Sequence, residues 1–69
     1  MGDKVRAKLR VLLNYWIEHN EKHSQEFREW VDQAKALGEV EVGAELLQAA
    51  QEMDKATKSL SRALKKLGE

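Results

Sequence analysis

Apolar and aromatic side chains recur in steps of three and four from Val5 through Leu9, Leu12 and Trp16 to Phe27, Trp30, Ala34 and Leu37. Such spacing lines one face of a helix, and Asp3 stands where it can cap the first turn. A second stripe runs through Leu46, Ala49, Ala50, Met53, Ala56, Thr57, Leu60, Ala63, Leu64 and Leu67. Between the stripes, Gly38 suits the left-handed position that ends a helix. Glu39-Val40-Glu41-Val42 alternates as a strand would, but a lone strand of four residues has nothing to pair with, and acidic residues suit a first helical turn. The pattern therefore predicts an all-α chain, one domain over residues 1–69, with a helix over about 4–37, a turn at 38–39 and a helix over about 40–67. A connection this short folds the helices into an antiparallel helical hairpin.

One hairpin is thin for what the first helix carries. Leu13, Ile17 and Val31 widen its stripe beyond a two-helix seam, and a chain this short buries only about 60% of the surface its unfolded form exposes. Absence of cysteine removes disulfides and thiolate metal sites as supports. The expected remedy is a homodimer that closes into a four-helix bundle. Trp16 and Trp30 are then core fillers and Met53 a gap filler, while Val11 and Tyr15 lie away from the stripe.

Charge changes the picture. Twelve Lys and Arg balance twelve Asp and Glu, which argues against a whole-chain affinity for nucleic acid or an anionic membrane. The balance conceals a dipole. Residues 1–17 carry four basic and one acidic side chain and residues 55–69 five and one, a net +7, while residues 18–54 hold three against ten, a net −7. In a hairpin the open end is basic (Lys4, Arg6, Lys8, Arg10, Arg62, Lys65, Lys66) and the turn end acidic. Basic residues early in the first helix oppose its dipole, and Lys4/Lys8 or Arg6/Arg10 set like charges four apart. An antiparallel dimer compensates by laying one chain's basic end beside the other's acidic end. RNA binding by the basic end is the weaker reading, because no aromatic side chain stands within the cluster to stack on bases. No apolar run approaches the roughly 18 residues of a membrane span, and Met1-Gly2-Asp3 opens into a charged segment, so the expectation is a soluble cytoplasmic protein without a membrane partner.

The candidate chemistry sits where the first stripe turns polar, at Glu18-His19-Asn20-Glu21-Lys22-His23-Ser24. Counted from Trp16, His19 and His23 are the next stripe positions, so both are expected to face inward with Asn20, and Thr57 lies opposite. The first reading is a hydrogen-bonded core layer of His19, Asn20, His23 and Thr57 that fixes register. The second is a divalent transition metal (zinc, nickel or iron) held by His19 and His23 of two chains, since histidines four apart share a helix face. The third is a protonation switch near about pH 6. Asn20 occupies the place of the general base in a zinc-protease His-Glu-x-x-His helix, and Tyr15 and Asn20 replace the glutamates of a di-iron Glu-x-x-His motif. Ser24, Ser59, Ser61 and Thr57 have no oxyanion donor set around them, so no enzyme is expected.

Trp16-Ile17-Glu18-His19-Asn20-Glu21-Lys22-His23, then Glu26-Phe27-Arg28-Glu29-Trp30 and Glu45-Leu46-Leu47-Gln48-Ala49-Ala50, resembles short uncharacterised two-helix domains of prokaryotes, over residues 9–67. Trp-x-x-His-Asn-x-x-His is the most specific part of the likeness. The resemblance implies a helical hairpin and adds weight to the metal reading, and it supplies no activity. The leading expectation is a non-enzymatic module that dimerises and presents a surface to another protein, with metal binding and then RNA binding as the alternatives.

Overall fold

A computed structural model describes residues 2–68; Met1 and Glu69, included in the expected domain 1–69, lie outside the described residues. Two helices, α1 (Gly2–Ala36) and α2 (Val40–Lys66), run antiparallel in an all-α hairpin 55 Å long and 14 Å across. Among the described residues no helix is long and apolar enough to cross a membrane.

The turn is built by Gly38, at φ 82°. Its N–H donates to the Lys35 carbonyl at 2.9 Å and the Glu39 N–H reaches back to Ala34 O at 2.9 Å, a Schellman closure that satisfies two carbonyls at the end of α1. No side-chain cap opens α2; the Glu39 carbonyl accepts its first bond, from the Gly43 N–H at 3.0 Å, and Glu41 supplies the acidic first turn. At the open end Arg6 Nη1 donates to Leu67 O at 2.7 Å, placing a cation on the C-terminus of α2 and tying the two ends together.

The seam follows a heptad on both helices. Leu13, Ile17, Asn20, Ser24, Phe27, Val31 and Ala34 face Gly43, Leu46, Ala50, Met53, Thr57, Leu60, Leu64 and Leu67, in alternating steps of three and four. Leu13, Ser24, Val31, Ala34, Gly43 and Ala50 are the buried members. This corrects the expected inner face of α1. Val5, Leu9, Trp16, Trp30 and Leu37 remain 69%, 38%, 39%, 62% and 80% exposed. The physical reason is fit. Small side chains at Ala34, Gly43, Ser24 and Ala50 let the backbones approach, so that a Cβ on Gly43 would lie 3.4 Å from the Val31 carbonyl oxygen, and indoles at Trp16 and Trp30 would hold the helices apart. On α1, helix geometry sets the exposed stripe about a quarter-turn round from the seam.

Candidate functional site

Of the expected core layer, only Asn20 and Thr57 lie in the seam, both half-buried, and Thr57 Oγ1 donates within its own helix to Met53 O at 2.9 Å. His19 is exposed and His23 half-buried, both on the flank of the hairpin, so the inward histidine layer is corrected. The polar part of the seam is a different group. Ser24 Oγ donates to Asp54 Oδ1 at 2.6 Å, with Ala50 O a weaker second acceptor at 3.3 Å, and Arg28 Nη2 donates to Asp54 Oδ2 at 2.6 Å. The Ser24 hydroxyl, and after it the Arg28 guanidinium, hold the Asp54 carboxyl below the ordinary carboxylate range, because both favour its charged form.

The histidines form an organised pair. His19 Nε2 and His23 Nε2 stand 3.0 Å apart, and His23 Nδ1 lies 3.0 Å from Glu26 Oε1. An acceptor carboxylate at Nδ1 requires the proton there, which leaves the His23 Nε2 lone pair facing His19. Four rings climb one edge of α1: Tyr15 stacks on His19 at 5.6 Å, His19 meets His23 edge-on at 4.3 Å and His23 lies 6.0 Å from Phe27. Steps of four residues carry this ladder from exposed Tyr15 to half-buried Phe27 at the seam, so Tyr15 joins the histidine edge. A shallow depression beside it is lined by Tyr15, Glu18, His19 and Lys22.

Among the described residues, no group of three or more His, Cys, Asp and Glu side chains is placed to hold a metal ion. One chain thus offers two imidazole donors, with Glu26 oriented behind one of them as metal-binding histidines require. The basic end gathers Lys4, Arg6, Lys8, Arg62, Lys65 and Lys66 in exposed positions and Arg10 half-buried; Arg6 is engaged on Leu67, and Arg62 Nη2 donates to Ser59 Oγ at 2.9 Å.

Sequence reasoning missed the Ser24–Asp54–Arg28 group and the Glu26 contact. A signal for the first was present: Ser24 continues the heptad Leu13, Ile17, Asn20 toward Phe27, Val31 and Ala34. The Trp16–Trp30 pair drew the reading one position aside. Glu26 lies three residues beyond His23, the ordinary helical spacing for a charged pair.

Compared with known protein families, residues 9–67 match the one described as a domain of unknown function, DUF8180, the span covered by the resemblance in the sequence. Neither the curated proteins nor the solved structures give a match.

Proposed function

This chain belongs to the DUF8180 family of domains of unknown function, and we propose that it is a non-enzymatic assembly module in which two hairpins pair antiparallel into a four-helix bundle. The observation that carries this is the unpartnered stripe that runs along α1 into the turn, with Trp30 at 62%, Val5 at 69% and Leu37 at 80% exposure. Apolar surface of this extent along one side marks an interaction face. Its position, a quarter-turn from the seam, is where a helix of a four-helix bundle meets its second neighbour. On the same side of the hairpin α2 contributes Val42, Ala49, Ala56 and Ala63, seven residues apart, small enough for a close second helix.

Charge selects the partner. A second copy turned end for end lays its acidic turn beside this chain's basic opening, so the occupant of the stripe is another hairpin of the same sequence. Position 21 is the natural centre. Val5 and Leu37 stand sixteen residues either side of it, Leu12 and Trp30 nine, so a two-fold there sets Val5 against the partner's Leu37 and Leu12 against the partner's Trp30. Ser24 against Ala50 puts position 21 opposite Met53, and the centre of the Val42–Ala63 series falls between Glu52 and Met53.

Sedimentation equilibrium of the 7.9 kDa chain is expected to give twice that mass at about 100 micromolar. Trp30→Ala should weaken association by about 30-fold or more, as truncating a central aromatic anchor does. Register is read by disulfide capture: mixed Val5→Cys and Leu37→Cys chains should cross-link, whereas Val5→Cys alone should not, its two copies lying about 48 Å apart. A monomer at that concentration overturns the reading.

A further inference from the structure

The same two-fold that pairs Val5 with Leu37 brings the histidines together. His19 and His23 stand two residues either side of position 21, so each chain's His19 faces the partner's His23. We propose that the His19–His23 pairs of two chains form one four-imidazole site for a divalent first-row transition ion such as zinc. This inference rests on the antiparallel dimer proposed above.

Three features of the single chain support it. The first is donor spacing. Two nitrogens on one tetrahedral zinc, each about 2.0–2.1 Å from the metal, are separated by about 3.3 Å. His19 Nε2 and His23 Nε2 already stand 3.0 Å apart, so a few tenths of an ångström of opening, with the proton between them moved to His19 Nδ1, accommodates the ion. The second is the carboxylate behind the ring. Glu26 Oε1 at 3.0 Å from His23 Nδ1 fixes the tautomer that presents Nε2 as a donor to metal and holds the ring's orientation. The third is incompleteness. Two imidazoles in one chain leave half of a tetrahedral shell unfilled, and the described residues bring no third His, Asp or Glu into position to fill it. A second chain on the stripe supplies the missing pair.

Donor chemistry sets the ion class. Four neutral imidazoles without thiolate or a complete carboxylate set favour zinc, nickel or copper over magnesium and calcium, which take oxygen ligands. Four protein ligands close the shell, as in structural zinc sites, so the ion clamps the bundle at its middle and leaves no position for water to react. Glu18 and Lys22, of opposite sign, flank the depression at His19.

The experiment titrates zinc chloride alone into the full chain in a non-chelating buffer. Stoichiometry is read by calorimetry, ligation by imidazole NMR and mass by sedimentation. The expected result is one zinc per two chains, perturbed His19 and His23 ring signals, and a dimer that tightens with metal and loosens with chelator. The double variant His19→Gln, His23→Gln should fold and lose the zinc response, both sites lying outside the seam. Glu26→Ala should bind zinc about 10- to 100-fold more weakly with the stoichiometry unchanged, which a purely structural glutamate would not cause.

A metal-free dimer that ignores zinc, or whose double variant responds equally, overturns the metal site and leaves the dimer standing. A chain that dimerises only with zinc, at one ion per pair, supports the site and overturns metal-free assembly. One zinc per chain on a monomer overturns the shared site and the dimer together.

Discussion

At the scale of single residues, the seam is not uniformly apolar, and the group that Ser24 forms with Asp54 and Arg28 responds to acid. Asp54 accepts from the Ser24 hydroxyl and from Arg28, and both bonds hold its carboxyl below the ordinary range in the folded chain. In the unfolded chain the same carboxyl titrates near its free value of about 3.9. A group whose folded value is depressed contributes stability that is present above the unfolded value and is lost as pH falls through the folded one. The wild type is therefore expected to lose melting temperature between about pH 5 and pH 2 by more than Asp54→Asn does, measured by circular dichroism at one protein concentration. Ser24→Ala should narrow that difference more than Arg28→Ala, because the hydroxyl is the larger cause. Equal acid sensitivity in the wild type and Asp54→Asn would refute this. The heptad made Ser24's place in the seam legible, but its partners were not, for a physical reason. A serine, an arginine and an aspartate become one group only through a tertiary pairing thirty residues apart, and no local spacing encodes it.

At the scale of the helices, length and punctuation were legible and rotation was not. Gly38 and the absence of proline fix where α1 can stop, and two periodic stripes fix that both segments are helical. Rotation depends on which of two adjacent apolar faces packs better. The histidines followed the tryptophans onto the outer face, which is why an expected core layer became a flank pair. Bulk alone pointed to Trp16 and Trp30, but close approach favours Leu13, Val31 and Ala34 against Gly43 and Ala50. Gly43 tests this account. An added Cβ would meet the Val31 carbonyl oxygen at 3.4 Å, Lys35 Cγ at 3.5 Å and Ala34 Cβ at 3.7 Å, all ordinary contacts. Gly43→Ala should thus keep the seam and gain helix propensity, raising stability by about 0.5–1 kcal/mol and the melting temperature by roughly 2–8 °C. Gly43→Leu should lower it, since the longer side chain has to push α1 away. A lower melting temperature for Gly43→Ala would mean that the helices are already at their limit of approach.

At the scale of the whole hairpin, the charge layout makes a prediction whose sign distinguishes the possible pairings. Net +7 at the open end and −7 around the turn add up to a neutral chain, so total charge has little to say about association. Orientation decides everything. In an antiparallel dimer the basic end of each chain lies beside the acidic end of the other, and the interaction is attractive; in a parallel dimer like ends meet and it is repulsive. Salt shortens the Debye length from about 8 Å at physiological ionic strength to about 3 Å at 1 M, and removes most of either interaction. Antiparallel pairing is therefore expected to weaken as salt rises, and parallel pairing to strengthen. The apolar stripe does not confound the sign, because its contribution is held or slightly increased by salts that are excluded from protein surface. Reversing one end supplies the control. A Lys4→Glu, Lys8→Glu chain reduces the positive charge at its open end and adds acid there, so its homodimer should bind less tightly than wild type at low salt and lose much of the salt dependence. A Glu39→Lys, Glu41→Lys chain should behave likewise through its turn end. Mixed in equal amounts, the two variants place added acid beside added base at one end of an antiparallel pair and keep the wild-type pairing at the other, and the heterodimer should associate more tightly than either variant alone and weaken with salt. Sedimentation across the salt series reads all four cases, and a wild-type dimer that tightens with salt would reject the antiparallel arrangement whatever the state of its histidines.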